Sequence, residues 1–380
     1  MIAANRLNTV EEYYFSKKLR EVRGLMAEGR PIINMGIGSP DLEPSIEVQR
    51  AVKEAMGHDG AHQYQSYQGL PELREAFSSF YKNKFGVRVN PQNEVLPLMG
   101  SKEGIMLISL AFLNPGDEVL IPNPGYPTYT SVTNLVGTVP RYYDLVGKKG
   151  WFPDLEELRG QDLSKVKLMW TSYPHMPTGA TASREQMTDL VAFAQENDIL
   201  LVNDNPYSFV LNQNPISILE VRGAMDVALE LNSLSKTFNM AGWRVGMVLG
   251  NSGHINAVLK VKSNMDSGMF YGIQKGAIAA LNCSESWYSE LNKVYHERRE
   301  LMFALADTLK CTYDKNAVGM FVWAKLPKGV SSSEKFIDEV LYEKNIFITP
   351  GTIFGSNGEG YIRFSLCVAA EKIQEAISRF

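Results

Sequence analysis

The feature that most constrains this chain is an alternation of short apolar runs with helical stretches. Glu118–Ile121, Lys167–Trp170, Ile199–Val202, Val227–Leu231 and Val245–Leu249 read as buried strands bounded by turn residues. Amphipathic helices lie between them. Over Ser183–Glu196, Ser183 and Gln186 make a capping-box pair, and Met187, Leu190, Val191 and Ala194 fall on one face. This pattern predicts an α/β fold whose large domain holds a mostly parallel sheet flanked by helices. From about Glu290 the pattern changes. A charged helix over Ser289–Leu309 leads into apolar runs at Met320–Leu326, Ile346–Thr349 and Tyr361–Leu366, then a helix from Ala370. A smaller α+β domain is expected there, completed by the N-terminal segment, where Pro31–Pro44 has no helical period. The expected boundaries are 1–50 for the N-terminal arm and part of the small domain, 51–288 for the large domain and 289–380 for the small C-terminal domain.

Composition removes several functional classes. Net charge is -4, so the chain lacks the basic excess of a non-specific nucleic-acid binder. Its 3 cysteines are far apart, which disfavours a disulfide framework and suits a reducing cytoplasm. Met1–Lys18 carries Glu11 and Glu12 without an apolar centre, unlike a secretory leader. The longest apolar stretch, near Ile105–Leu113, is too short to cross a bilayer. The 5 histidines show no metal-ligand spacing. Gly36-Ile37-Gly38 lacks a third glycine and is followed by Pro40, so it is a poor dinucleotide fingerprint.

Chemistry-bearing residues follow the strands. Asn123-Pro-Gly-Tyr126-Pro, Ser172-Tyr-Pro-His175-Met176-Pro-Thr-Gly179, Asp204-Asn-Pro-Tyr207 and Ser233-Leu-Ser235-Lys236 each follow one predicted strand. Parallel strands bring their carboxyl ends to one edge, so these clusters are expected to line one pocket. Gly100-Ser101-Lys102, ahead of the apolar helix near Ile105, offers a phosphate seat. Arg244 could clamp the same phosphate, and Ser233 and Ser235 add hydroxyls. A lysine buried beside that phosphate and an arginine would favour its neutral, nucleophilic amine. Phosphate, aldehyde and lysine together point to pyridoxal 5'-phosphate. Asp204 would keep its ring nitrogen protonated. Tyr207 could bond its phenolic oxygen, and Tyr126 could stack on its face.

The chain resembles the class I/II aminotransferases of the fold-type I pyridoxal-phosphate superfamily from Ile33 to Phe380. The most specific segment is Ser233-Leu-Ser-Lys-Thr-Phe-Asn-Met-Ala-Gly-Trp-Arg-Val-Gly246. The resemblance implies a Schiff base at Lys236, phosphate contact by Arg244, and catalytic roles for Asp204 and Tyr207. It implies that Tyr64 reaches the cofactor of a second subunit, hence a homodimer with shared sites. It places Arg363, with backbone help from Gly38, on the substrate α-carboxylate. The implied reaction moves an amino group from an L-amino acid to a 2-oxo acid.

One position departs from the family. Where its loop normally reads N-P-T-G, this chain has Met176-Pro-Thr-Gly179. A thioether cannot donate the hydrogen bond that asparagine gives the cofactor's phenolic oxygen. Tuned transamination, a C–S β-lyase on the same scaffold and a catalytically impaired cofactor-binding homologue are the alternatives this leaves. Ser233-x-x-Lys236 also fits a serine–lysine hydrolase pattern, but Lys236-Thr237 is followed by Phe238 and no S-D-N triplet occurs. The run Met265–Gln274, expected to line a partner's substrate pocket, has no arginine or lysine. A neutral or apolar donor is therefore expected, unless Arg20, Arg23 or Arg141 supplies a second cation.

Overall fold

The computed structural model describes residues 3–9 and 14–380. Its larger layer is a seven-stranded sheet in the order Val95–Leu98, Gly246–Leu249, Ala228–Ser233, Leu200–Asp204, Val166–Thr171, Glu118–Asn123, Val139–Asp144. The sheet is mixed. Gly246–Leu249 runs antiparallel to both neighbours, while the pairings from Ala228–Ser233 to Val139–Asp144 are parallel. All five predicted strands are present, and the two edge strands are additions. Val95–Leu98 contains Pro97, which an edge tolerates because it removes one ladder donor. Val139–Asp144 is largely exposed, so it lacks the apolar run of a buried strand. One apolar cluster covers each face, with Phe77, Leu190 and Phe193 on one side and Ile105, Tyr129 and Val258 on the other. The predicted helix forms over Arg184–Glu196, and its capping box is complete.

The smaller unit has its own core, including Tyr295, Met302, Trp323, Ile337 and Phe364. Its antiparallel sheet runs Thr349–Pro350, Tyr361–Ser365, Phe321–Lys325, Thr312–Tyr313. Ile346–Thr349 is not one strand, as the sequence suggested. Ile346–Phe347 pairs parallel with Ile33–Asn34, and Thr349–Pro350 turns to the other sheet, where Pro350 sits at an edge. The long helix spans Glu285–Thr308, starting earlier than its periodicity implied, with the acidic Glu285 favourably placed in its first turn. The N-terminal segment joins this unit as expected. Met35 N–H donates to Phe347 O at 2.8 Å, and Ser365 N–H donates to Met35 O at 2.8 Å.

The segment after Met35 is held by a forked ion pair. Arg298 donates from both terminal nitrogens to the two Asp41 oxygens at 2.7 and 2.8 Å, and also to Leu366 O. Arg298 is buried while Asp41 is about one-third exposed. Asp41→Ala strands a buried guanidinium on one carbonyl. The expected loss is about 2 kcal/mol, below that of a fully buried pair. It is read as a lower apparent melting temperature, with Asp41→Asn falling between the two.

Candidate active site

The carboxyl ends of the parallel strands open into a cavity of about 560 Å³ that the small unit roofs. Asp204 and Ser233 are the last residues of their strands, so the sheet itself fixes them. Tyr126 precedes the helix Pro127–Leu135, and Lys236 lies in the turn after Ser233. Of the residues singled out in the sequence, Gly38, Ser101, Lys102, Tyr126, Met176, Asp204, Tyr207, Ser233, Ser235, Lys236, Arg244 and Arg363 all line this cavity. Gly100 caps the helix Ser101–Phe112, which begins earlier than Ile105. Tyr64 lies outside its own chain's cavity and is 91% exposed. Met265–Gln274, Arg20, Arg23 and Arg141 are also absent from the lining. Arg141 is held at the sheet edge by Glu118 and Gln161.

One end of the cavity is rich in donors and cations. Gly100 adopts φ +94°, and a β-carbon there would sit 2.1 Å from the Arg244 guanidinium. At Gly246 a β-carbon would meet Ser101 N at 2.7 Å. Two glycines thus let the helix start, its free N–H groups and Arg244 converge where an anion is stabilised.

Asp204 contributes a carboxyl to the same lining. Asp204 Oδ2 accepts from Tyr129 Oη at 2.9 Å, while buried Oδ1 has no protein partner. Burial pushes the Asp204 carboxyl up to about 7; the Tyr129 hydroxyl opposes this, Glu230 adds to it and Lys236 opposes it. Tyr129 was not foreseen from sequence. It is buried, its ring stacked 4.9 Å from Trp170, and its only signal was its place three residues after Tyr126. Burial lowers the Lys236 amine, with Arg363 and Arg244 adding to the effect and Cys367 and Asp204 opposing it. Its Nζ donates to Gly38 O at 2.7 Å.

The roof is aromatic and cationic. The Arg363 guanidinium lies 3.9 Å from the Phe321 ring centroid and 4.6 Å from that of Phe354. It donates to Gly36 O at 3.0 Å and to Met176 Sδ at 3.5 Å. Burial raises the Tyr207 hydroxyl, and Arg363 opposes that rise. His175 is buried against Thr178, with its imidazole pushed down to about 3 by burial, and it does not line the cavity.

A sequence profile described as aminotransferase class I and II matches residues 30–380. The chain belongs to this family. It is 38% identical over 379 residues to an LL-diaminopimelate aminotransferase of Nitratidesulfovibrio vulgaris, covering 99% of this chain and 97% of the relative. It is 39% identical over 381 residues to another from Natranaerobius thermophilus, covering 100% and 98%. The substrate-bound structure of BacF from Bacillus subtilis superposes with TM-score 0.95 at 36% identity, covering 100% of this chain and 97% of that one. An aspartate aminotransferase from Thermus thermophilus with maleate gives 0.93 at 25% identity, covering 100% and 99%. The protein is thus a pyridoxal-phosphate-dependent aminotransferase acting on amino acids and 2-oxo acids. Neither the eliminating nor the catalytically silent alternative finds support in these matches. The cavity fits the cofactor: a cationic, N–H-rich seat suits its phosphate, and an orphaned buried carboxylate oxygen suits a protonated ring nitrogen. Among the described residues no acidic, histidine or cysteine cluster could hold a metal ion, and no helix is long and apolar enough to cross a membrane.

Tyr129→Phe removes the hydrogen bond that favours ionised Asp204. The Asp204 carboxyl should therefore titrate above its present value of about 7 in the cofactor-free protein. A hydrogen bond to a charged group is worth about 1.5–3 kcal/mol, equivalent to roughly one to two pH units. Carboxyl-carbon NMR titration reads the shift, and a downward movement would contradict the assignment of that bond.

Proposed function

We propose that this aminotransferase takes its amino group from an L-amino acid with a neutral or apolar side chain. The observation that carries this reading is the distribution of charge in the cavity. Lys102 and Arg244 stand at the phosphate end and Arg363 stands in the roof, while Leu19, Ile37, Phe321 and Phe354 supply apolar surface. Among the described residues no further arginine is on the lining for a second carboxylate, and the lining acid Asp204 is given to the ring nitrogen. The relatives' names specify LL-diaminopimelate. The cation beside Phe321 and Phe354 is Arg363, which this reading gives to the α-carboxylate, so a distal ammonium and carboxylate would find no further charged counterpart among the described lining residues.

On this reading Lys236 is the residue that bonds the cofactor. Asp204 faces its ring nitrogen, Tyr207 its phenolic oxygen and Tyr126 its ring face. Gly100, Ser101, Lys102, Ser233, Ser235 and Arg244 receive its phosphate, joined by Tyr64 of a second copy in a homodimer. Exposure of Tyr64 supports that last role, since a side chain meant for another subunit is left uncovered in a single chain. When bound, the cofactor supplies an electron sink that makes the substrate's α-proton acidic. Once displaced from the cofactor by the substrate's amino group, Lys236 would be a neutral amine because burial disfavours its charge, so its Nζ would accept that proton and return it elsewhere. Arg363, planar and flanked by two rings, suits a bidentate grip on the α-carboxylate. Met176, on its Nη1, sits beside both that grip and Tyr207's side of the cavity.

Donors are compared by the rate at which each bleaches the aldehyde-form absorbance of the holoenzyme. Leucine, methionine and phenylalanine should outpace aspartate and LL-diaminopimelate; the reverse order would sink the substrate assignment. Met176→Asn gives a second expectation. The asparagine amide would be a new donor toward the cofactor's phenolic oxygen and would stabilise that oxygen as an anion. The visible-absorption titration should move to lower pH by about one to two units, on the scale of a charged hydrogen bond. No movement would mean that position 176 does not reach that oxygen.

A further inference from the structure

Beneath the sheet lies an acid that the reaction, as described, does not use. Glu230 is 0% exposed, in the middle of the strand Ala228–Ser233. Its Oε1 accepts from Tyr81 Oη at 2.8 Å and Asn205 Nδ2 at 3.2 Å. Its Oε2 accepts from Ser217 Oγ and Ile218 N, both at 2.8 Å. The amide nitrogens of Asn205 and Ile218 can only donate, so the shell is built for the anion. Against it stands burial, which pushes the Glu230 carboxyl up to about 7.

Register places this acid relative to the site. Asn203 pairs with Glu230 and Asp204 with Leu231. Side chains alternate along a strand, so Glu230 projects from the face opposite Asp204. Two hydrogen-bonded arms rise from it. One runs through Asn205, the residue after Asp204, whose N–H is also fixed on Leu231 O at 2.8 Å. The other runs through Tyr81 to Asn232 Nδ2 at 3.0 Å, and Asn232 Oδ1 accepts from Ser233 N at 2.7 Å. Ser233 lines the cavity. The arms therefore reach the residues at both ends of the cofactor seat.

We infer that Glu230 is a positioning residue for the cofactor's ring nitrogen: through Asn205 and its own negative charge it sets how firmly Asp204 retains a proton there. Glu230 ties Ser217 and Ile218 to the sheet, but a neutral acceptor could do that too, so the charge itself calls for a further role. A second anion behind Asp204, in an interior with little screening, makes loss of the shared proton more costly. The titratable groups facing Asp204 are Tyr126 and Tyr129 from the adjoining helix and its cap, Tyr207 from its own loop, Lys236 across the cavity and Glu230 below. Those facing Glu230 are Tyr81 and Asp204.

The inference rests on the reading that Asp204 faces the ring nitrogen, and the experiment separates the two. Holoenzyme is prepared with cofactor isotopically labelled at the ring nitrogen, and its NMR shift is followed from roughly pH 6 to roughly pH 10. Glu230→Gln should lower the midpoint of nitrogen deprotonation by about one unit, a tenfold weaker hold on the proton. Above neutral pH kcat should fall severalfold with KM little changed. The difference from wild type should close toward the acid end, where Glu230 itself takes up a proton. Tyr81→Phe weakens the anion without removing it, so it should move the midpoint the same way by less, and it carries the test if the glutamine variant does not fold. Asp204→Asn is the control. If the midpoint moves in the control but in neither Glu230→Gln nor Tyr81→Phe, Glu230 is structural and the inference is overturned. If it moves in none of the three, the Asp204 assignment falls, and this inference with it.

Discussion

Burial acts in opposite directions on two ionisable groups that line one cavity, and the rest of the site is arranged around that opposition. It raises the Asp204 carboxyl and lowers the Lys236 amine, so each is driven toward its neutral form. The signs have a thermodynamic consequence. An acid raised in the fold lowers stability as pH climbs from the ordinary carboxylate range toward about 7. An amine lowered in the fold lowers stability as pH drops below the ordinary lysine range. Near neutrality both penalties are present in the cofactor-free chain. A ligand that brings a protonated nitrogen to Asp204 and an aldehyde to Lys236 relieves both, and part of its affinity comes from that relief.

The small unit contributes geometry more than charge. Gly36 and Gly38 lie so close to Phe347 and Phe321 that a β-carbon at either would fall 2.5 Å from a ring atom. Their absence of side chains lets the N-terminal strand pass over the cavity and present Gly36 O to Arg363 and Gly38 O to Lys236. Arg363 is thereby fixed by a carbonyl, two rings and the Met176 sulfur. An asparagine at position 176 would offer Arg363 a stronger acceptor and the cofactor a donor; methionine offers a weak acceptor only. Methionine thus leaves the arginine with the weaker of the two acceptors.

Much of the fold was legible because buried parallel strands announce themselves as apolar runs, and the site was legible because function clusters where those runs end. Asp204 ends a strand, Lys236 lies in the turn after one, and Arg363 is on a strand whose neighbours fix its direction. What escaped notice followed from physics that one-dimensional patterns do not carry. Val95–Leu98 and Val139–Asp144 are edge strands, one interrupted by proline and one mostly solvated. Ile346–Thr349 reads as continuous, yet its two halves answer to different neighbours. Tyr129 and Glu230 look like ordinary members of a helix and a strand. Their importance comes from residues remote in sequence, Asp204 for one, Tyr81 and Asn205 for the other.

The side-chain end of the cavity depends on a contact between the two units that no single motif encodes. Phe354 O accepts from Gly125 N at 2.7 Å, so this roof residue is bonded directly to the loop that carries Tyr126. Around it, Asn123 donates to Ser356 Oγ at 2.9 Å and accepts from Asn357 N at 3.1 Å, while Asn357 donates to Asp144 at 2.8 Å. Gly355 adopts φ +128°, and a β-carbon there would meet Asn123 Oδ1 at 2.2 Å, so the latch closes only over glycine. Net gains from such exposed or half-buried hydrogen bonds are about 1 kcal/mol each, too small to lock the units permanently. They are large enough to choose one seating of Phe354 over another. The shape of the cavity at Phe354 is therefore a property of how the small unit sits on the large one, fixed in part by Asn123 and Asn357, which do not line the cavity.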